Sequence, residues 1–357
     1  MKRIVFYDAA APAPYSDALL GTADNGIGGT EASVARVAAK LSEAHDVTVA
    51  QRERRSAEAS DRLHWLPFTQ TRDKLARADA IVVVRNHKHI LSVRRVNSRA
   101  PIFLWCHDWY PRVQTFKTLK PRLLRQLKLE GHVALHHFTH ATAVGVSETH
   151  RRNIREYFDG ARVVWPLASR VHVDYVYNPI PDELSRSDAP YDPRKLVFFS
   201  TPGKGLDLVL EAFQEVRREM PDMRLHVASP GYGDEQGNNG AELSGNVTFL
   251  GKLSHSDIMR EVRTALCVFY PANRIPETFG LVFAESHAVG TPVLAHPFGA
   301  ACELLGNDEL IDAGNITAIV ARVRAWRNGA RPVVYGNDQL RLSNVAEAWE
   351  RLLFGRS

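Results

Sequence analysis

Two glutamates, Glu277 and Glu285, lie eight positions apart in the stretch PANRIPETFGLVFAESHAVGTPVLAHPFGAACE, which runs from Pro271 to Glu303. Pro276 is a poor helix-interior residue, and the Thr-Phe-Gly after Glu277 reads as a turn. Beyond Gly280, the spacing of Leu281, Val282, Ala284, Ala288 and Val289 predicts a short helix, ended by Gly290 and Pro292. Glu277 then sits in the loop entering that helix, and Glu285 about a turn and a half inside it. The amides of Phe279, Gly280 and Leu281 are the unpaired donors of a helix start, where anions and hydroxyls are favoured. Two carboxylates beside such amides suit a polyhydroxylated, phosphorylated ligand. Glutamates at a helix start often do no more than complement the macrodipole. Here the order Glu-x7-Glu, Gly-Thr-Pro-Val, Gly-x3-Glu (ending at Glu303) argues for more.

Three other places carry chemistry. Asn25-Gly-Ile-Gly-Gly-Thr-Glu31 follows a strand and precedes an Ala/Val-rich helix ending near Leu41. Strand, glycine loop and helix let backbone approach phosphate closely. The dinucleotide fingerprint G-x-G-x-x-G is not met, because Glu31 stands where the third glycine belongs. Ser200-Thr-Pro-Gly-Lys-Gly205 is a second such loop, and it is no P-loop, since Gly follows Lys204. A lysine at a helix start is disfavoured unless an anion meets it. His107-Asp108 ends the predicted strand Ile102 to Trp105, where ligands of parallel sheets bind.

The elements that must hold these residues alternate in the α/β manner. Ile4 to Tyr7, Val47 to Ala50, Ala80 to Val84, Ile102 to Trp105 and Ala143 to Val146 predict a parallel sheet. Ser147 is positioned to cap the following helix. Lys195 to Phe199, Leu225 to Ala228, Val247 to Leu250 and Leu266 to Tyr270 predict a second sheet, with a glycine-rich loop over 230–245. Asn344 to Phe354 predicts an amphipathic helix. A chain of 357 residues accommodates two domains, and 45% hydrophobic with 24% charged residues describes a soluble globular protein. The net charge of +5 favours anionic ligands or surfaces. Cys106, Cys267 and Cys302 form no C-x-x-C pair and fit a reducing compartment. No apolar run approaches the ~18 residues of a membrane span. The start reads as a strand and not a signal peptide, because Asp8 cuts its apolar part short.

Two segments admit rival readings. Pro111 to Glu130 carries Arg112, Lys117, Lys120, Arg122, Arg125 and Lys128, with Phe116, Leu119, Leu123, Leu124 and Leu127 as an apolar face. It is either a solvated helix face or a surface for an anionic leaflet or a lipid-linked acceptor's phosphate. His132, His136 and His140 recur at i, i+4 spacing, but no acidic companion accompanies them, and a metal site is rejected.

The segment from Pro271 to Glu303 resembles the donor half of retaining GT-B glycosyltransferases of the group 1, family 4-like type, which carry the E-x7-E signature. Gly28-Gly29-Thr30-Glu31 is similar to that family's G-G-x-E loop, and Lys204-Gly205 to the second part of its Arg…Lys-Gly element. The arginine of that element is absent, with Ser200 and Thr201 near its place. The resemblance spans nearly the whole chain, most strongly from Lys195 onward. It implies two Rossmann-like doubly wound parallel-sheet domains facing a cleft, with the C-terminal helix crossing back to the N-terminal domain. The expected boundaries are 1–180 for the acceptor-binding domain, 181–338 for the nucleotide-sugar domain, and 339–357 for the returning helix, with the link near Asn178.

The resemblance further implies a nucleoside-diphosphate sugar as co-substrate and no catalytic metal or other cofactor. Glu285 would bind ribose and Glu277 the donor sugar, helped by Phe279, Gly280 and Leu281. Lys204, Thr201 and the Gly28 and Gly29 amides would meet the diphosphate. Backbone at Phe249, Leu250 and Gly251 would hold the base, and His107 would stand beside the sugar. His107, Glu277 and Lys204 are the expected catalytic groups. The expected acceptor is a saccharide, a lipid-linked acceptor or a small molecule, and no nucleic-acid partner is expected. The expected location is cytoplasmic, with peripheral contact at the inner membrane face through 112–128 as an option. A GT-B epimerase or phosphorylase, and a non-catalytic sugar-nucleotide binding subunit, are the alternatives.

Overall fold

The computed structural model describes residues 1–20, 27–111, 119–187, 189–229 and 246–355. The chain divides into two compact units. The first comprises Met1–Asp17, Ser33–Pro179 and Leu342–Ser357; the second comprises Ala18–Ala32 and Ile180–Arg341. The expected boundaries gave all of 1–180 to the first domain, whereas Ala18–Ala32 clusters with the second unit.

In the first unit, β1 (Arg3–Asp8), α1 (Gly29–Ser42, from Ser33 onward) and β2 (Asp46–Gln51) come first, followed by β3 (Glu58–Ser60) and β4 (Leu63–Pro67). Next are α2 (Arg72–Arg77), β5 (Ala80–Val84), α3 (Lys88–Val96), β6 (Ile102–Trp105) and α4 (Leu119–Thr139). Then follow β7 (Thr142–Gly145), α5 (Glu148–Asp159), α6 (Trp165–Ala168) and β8 (Val173–Tyr175). The eight strands form one sheet in the order β3-β4-β2-β1-β5-β6-β7-β8, parallel except for the β3–β4 hairpin. The runs AIVVV and IFLW are buried at every position, as strands covered on both faces require. The β3–β4 hairpin was absent from the sequence reading: Glu58–Ser60 is wholly exposed and LHWLP is short and alternating. Ser147 accepts the His150 amide at 3.0 Å and caps α5.

The second unit contains β9 (Asp192–Phe199), α7 (Leu206–Glu219), β10 (Arg224–Ser229), β11 (Val247–Lys252) and α8 (His255–Arg263). It continues through β12 (Ala265–Tyr270), α9 (Leu281–Ala288), β13 (Val293–Ala295), α10 (Ala301–Leu304) and α11 (Ile316–Ala325). Its five strands run parallel in the order β11-β10-β9-β12-β13. β12, the strand that feeds the glutamate segment, is buried along its whole length.

The chain closes with α12 (Leu342–Phe354), which belongs to the first unit. Its Trp349 is fully buried, with ring centroids 4.7 Å from Trp105 on β6 and 6.5 Å from Phe6 on β1. The apolar stripe Val345, Ala346, Trp349 and Leu353 thus ties the C-terminus to the first sheet. Two Rossmann-like parallel-sheet units with this return helix constitute the expected α/β architecture.

Candidate functional site

β12 delivers the chain to Tyr270, and the loop to Gly280 then turns it into α9. Gly280 has φ +84°, and a Cβ there would stand 2.4 Å from the Phe283 ring, so only glycine fits the turn. Within this loop Glu277 is buried. Its carboxylate accepts the Lys204 ammonium at 2.7 and 2.9 Å and the Tyr270 hydroxyl at 2.9 Å. Its carbonyl accepts the Ala300 amide at 2.8 Å, and its backbone bridges to Gly299. A Cβ on Gly299 would come within 2.3 Å of that carbonyl oxygen. Main chain and side chain of Glu277 are therefore both fixed.

Lys204 ends a short turn, Pro202–Lys204, with Gly205 as the left-handed residue before α7. The anion that meets this lysine inside the chain is Glu277, seventy-three residues away in sequence. Thr201 precedes the turn, and its carbonyl accepts the Lys204 amide at 3.0 Å. Arg274, from the loop before α9, ion-pairs with Asp207 in the first turn of α7. Its Cβ is 3.8 Å from the Cβ position of Gly205. A guanidinium therefore stands at this loop, although residues 200–203 before Lys204 include no arginine.

Glu285 is also buried, and its Oε1 lies 2.9 Å from Nε2 of His255. His255 opens α8, which Ser254 caps by accepting the Asp257 amide at 3.1 Å. Sequence reasoning missed both His255 and Tyr270. A histidine just after a Ser cap and a tyrosine ending an apolar strand were the available signals, but only the strand order shows what they face. Phe279 is buried, and the Phe283 and Ala284 amides bond back to the Gly280 carbonyl at 2.9 and 3.2 Å. Phe249 is exposed and Leu250 half-buried on the edge strand β11, with Gly251 at φ +66°. Gly28 precedes α1 and Gly29 begins it; the Cβ position of Gly29 is 3.1 Å from Leu281. Lys204, Tyr270 and Glu277 thus form one cluster, and His255 and Glu285 another.

His107 belongs to the first unit. It follows β6, buried, with its ring 4.9 Å from that of Trp105. Burial first, then Arg85 and His150, hold its pKa well below the ordinary histidine value, so it is a neutral imidazole at pH 7. The histidines of α4 also have structural partners. His87 stacks on His132 at 3.6 Å and lies 3.2 Å from His136 through its Nδ1. The Tyr110 and Tyr157 hydroxyls lie 2.8 Å from His87 and 3.1 Å from His132. Burial pushes His132 down to about 3 and His136 to about 4. His140, exposed, ends the helix at φ +51°. Among the described residues no cluster of His, Cys, Asp and Glu is disposed to hold a metal ion.

Of the basic segment, residues 112–118 lie outside the described residues. In α4, Leu129 and Val133 enter the core, whereas Leu123, Leu124 and Leu127 are more than half exposed. Val163 and Trp165 are exposed as well. Their loop is tied to α4 by the Glu130 carboxylate, which accepts the amides of Arg162, Val163 and Val164 at 2.6 to 3.2 Å. Among the described residues no helix is long and apolar enough to cross a membrane.

Comparison with known proteins adds a family match over part of the chain and a fold. Residues 184–344 match the family described as glycosyl transferases group 1. A phosphatidyl-myo-inositol mannosyltransferase of Mycolicibacterium smegmatis is 26% identical over 248 residues, 68% of this chain and 60% of that enzyme. The chain thus spans less than two thirds of that relative's length. A D-inositol 3-phosphate glycosyltransferase of Segniliparus rotundus is 36% identical over 105 residues, 28% of this chain and 23% of the relative. Among solved structures, Anabaena HepE in complex with UDP-glucose superposes with a TM-score of 0.64 at 16% identity, covering 99% of both chains. That likeness is one of fold.

Proposed function

From the match of residues 184–344 to the glycosyl transferases of group 1, we propose a function for the whole. It transfers a sugar from a nucleoside-diphosphate sugar to an acceptor hydroxyl, with retention at the anomeric carbon. The observation that carries this reading is the buried Glu277 carboxylate, held by Lys204 and Tyr270 beside the Gly280 turn into α9.

In this reading the Lys204 ammonium swings from Glu277 toward the diphosphate when donor arrives. It then neutralises charge that grows on the leaving group, the largest electrostatic contribution such a site offers. Arg274, at the same loop, is the proposed second cation. Glu277, still held by Tyr270, accepts hydroxyls of the donor sugar, and Glu285 accepts those of the ribose. The acceptor oxygen bonds to the anomeric carbon on the face the diphosphate leaves, and its proton passes to a diphosphate oxygen. No carboxylate nucleophile is required, unlike in a retaining glycosidase, where two carboxyls about 5 Å apart flank the bond.

The M. smegmatis relative is named a mannosyltransferase acting on phosphatidyl-myo-inositol, so a mannose nucleotide and a lipid-linked acceptor head the list of substrates. The exposed leucines of α4, with Val163, Trp165, Arg122, Arg125 and Lys128, are the proposed contact with an anionic leaflet. The test is to incubate the protein with GDP-mannose, and separately UDP-glucose, beside phosphatidylinositol and a panel of soluble polyols. Products are identified by mass spectrometry and their anomeric configuration by NMR. Transfer with the donor's configuration supports the reading. An inverted product removes retention, and a changed sugar nucleotide without acceptor indicates an epimerase. Nucleotide binding with no turnover on any acceptor indicates a binding subunit.

A further inference from the structure

In a parallel sheet, residues just past the strand ends gather along one edge. In the first unit that edge collects Tyr7 from β1, Arg52 after β2, Phe68 after β4, Arg85 after β5, and Lys88 and His89 in the first turn of α3. Tyr7 and Phe68 stack, with centroids 4.3 Å apart and planes 18° from parallel. The His89 ring lies 5.6 Å from Tyr7, and the Arg52 guanidinium lies 3.1 Å from His89 Nε2. Arginine only donates, so His89 accepts through Nε2 and carries its proton on Nδ1.

The charges that act on His89 and Tyr7 are all positive. Burial, Arg52 and Lys88 all lower the His89 pKa, and Arg52 works against the burial that raises Tyr7; no carboxylate contributes to either. Neither Arg52 nor Lys88 makes a salt bridge to a carboxylate among the described residues. Lys88 and His89 also begin a helix whose first turn has no acidic residue, where positive charge is unfavourable. One strand over, Arg85 has φ +62°, a strained conformation for a residue with a side chain, while its amide bonds to the Trp105 carbonyl at 2.9 Å. Cations gathered beside a flat aromatic pair, on the ligand-binding edge of a parallel sheet, call for an anion with an attached ring or carbon chain.

The geometry points to a phosphate-ester subsite at this edge: Arg52, Lys88 and His89 grip the phosphate, and the Tyr7–Phe68 stack supports the polyol it esterifies. The Nδ1–H of His89, the ammonium of Lys88 and the guanidinium of Arg52 are the donors, charge-assisted in the last two cases. The subsite deepens the proposed function, because it assigns the acceptor an anionic group; phosphate-ester binding itself does not depend on that reading. A soluble polyol phosphate and the headgroup of a phospholipid share this chemistry.

The test is calorimetric titration of the full chain with D-inositol 3-phosphate, free myo-inositol and inorganic phosphate, and with phosphatidylinositol in micelles. The same titrations are made on R52Q and H89Q, and on E285A as a control. The expected result is binding of the phosphate ester, weakened about tenfold or more in R52Q, with no binding of free inositol. Weakening by H89Q and by added salt is expected as well. Equal binding of inositol and its phosphate, unchanged affinity in R52Q, or no phosphate-ester binding at all would overturn the subsite. Preference for the micelle over the soluble ester names a lipid as the source, and the reverse names a free polyol phosphate. UDP or GDP binding that is intact in R52Q and lost in E285A keeps the two sites separate. If nucleotides fail to bind while the ester binds, the transferase reading falls and the subsite stands.

Discussion

The candidate sites of the two units sit in different charge settings. In the second, the two candidate carboxylates are already satisfied by the chain: Lys204 and Tyr270 hold Glu277, and His255 holds Glu285. Histidines there sit beside carboxylates, as His226 does with Glu261 and His287 with Glu309. In the first, His45 and His64 also pair with carboxylates, but His87, His132 and His136 lie against each other and against tyrosine hydroxyls, and Arg52 meets His89. A ligand of the second unit must redirect existing partners, which orients it but offsets part of its binding energy. A ligand of the first unit would supply a charge that the chain withholds.

The largest test of this contrast is acid. Burial holds His132 near pKa 3, and His136 and His150 near 4, while their unfolded values lie near 6.5. Below pH 6.5 the unfolded chain takes up protons that the folded imidazoles refuse, so stability is full above that pH and falls as pH drops toward 4. A fully expressed shift is worth about 3 kcal/mol at His136 or His150 and about 5 kcal/mol at His132. Trp65, Trp105, Trp109, Trp165 and Trp349 lie in the first unit and only Trp326 in the second. Tryptophan fluorescence should therefore report a midpoint several degrees lower at pH 5 than at pH 7.5. A midpoint unchanged between those values would erase the contrast.

A comparable effect is expected at the opposite site. Replacing Glu277 with Gln keeps the shape, removes the charge that Lys204 and Tyr270 hold, and should slow transfer by about 100- to 1000-fold, or about 3 kcal/mol. Turnover measured on folded E277Q within threefold of wild type would show that this clamp is structural only.

Replacing His255 with Ala should be milder. Glu285 loses its partner, and nucleotide affinity should fall by about tenfold or less, the worth of one such hydrogen bond. Calorimetry with the preferred nucleotide reads this directly, and tighter binding would mean that His255 competes with ribose instead of orienting Glu285.

The smallest effect on stability belongs to the exposed apolar surface. Leu127→Ser with Trp165→Ser should change stability by no more than about 0.5 kcal/mol per site, yet reduce co-sedimentation with anionic vesicles. Undiminished vesicle binding would count against this surface as the membrane contact.

How much of this was legible in the sequence follows from the range of each interaction. The buried strands β5, β6 and β12 announce themselves as unbroken apolar runs, and Ser147 announces a cap, because both are local. The Glu277 loop and the α9 helix were readable for the same reason: Pro276, Gly280 and Gly290 punctuate them. The pairing of Lys204 with Glu277, and of His255 with Glu285, depends on strand order across seventy-three and thirty residues, which no local pattern carries. The outward face of Leu123, Leu124 and Leu127 was ambiguous because the opposite stripe of α4, Leu129 and Val133, is equally apolar. The edge pairing of β3 with β4 escaped notice because exposed strands carry little hydrophobic signal.

The central claim is that the second unit binds a nucleoside diphosphate through Glu285. Thermal unfolding with UDP, GDP, ADP and TDP, on wild type and on Glu285→Ala, tests it most directly. One nucleotide at 100 times its dissociation constant should stabilise the wild type by about 2.7 kcal/mol and leave E285A unmoved. A well-folded wild type that no nucleotide stabilises would contradict the claim, and the transferase reading with it.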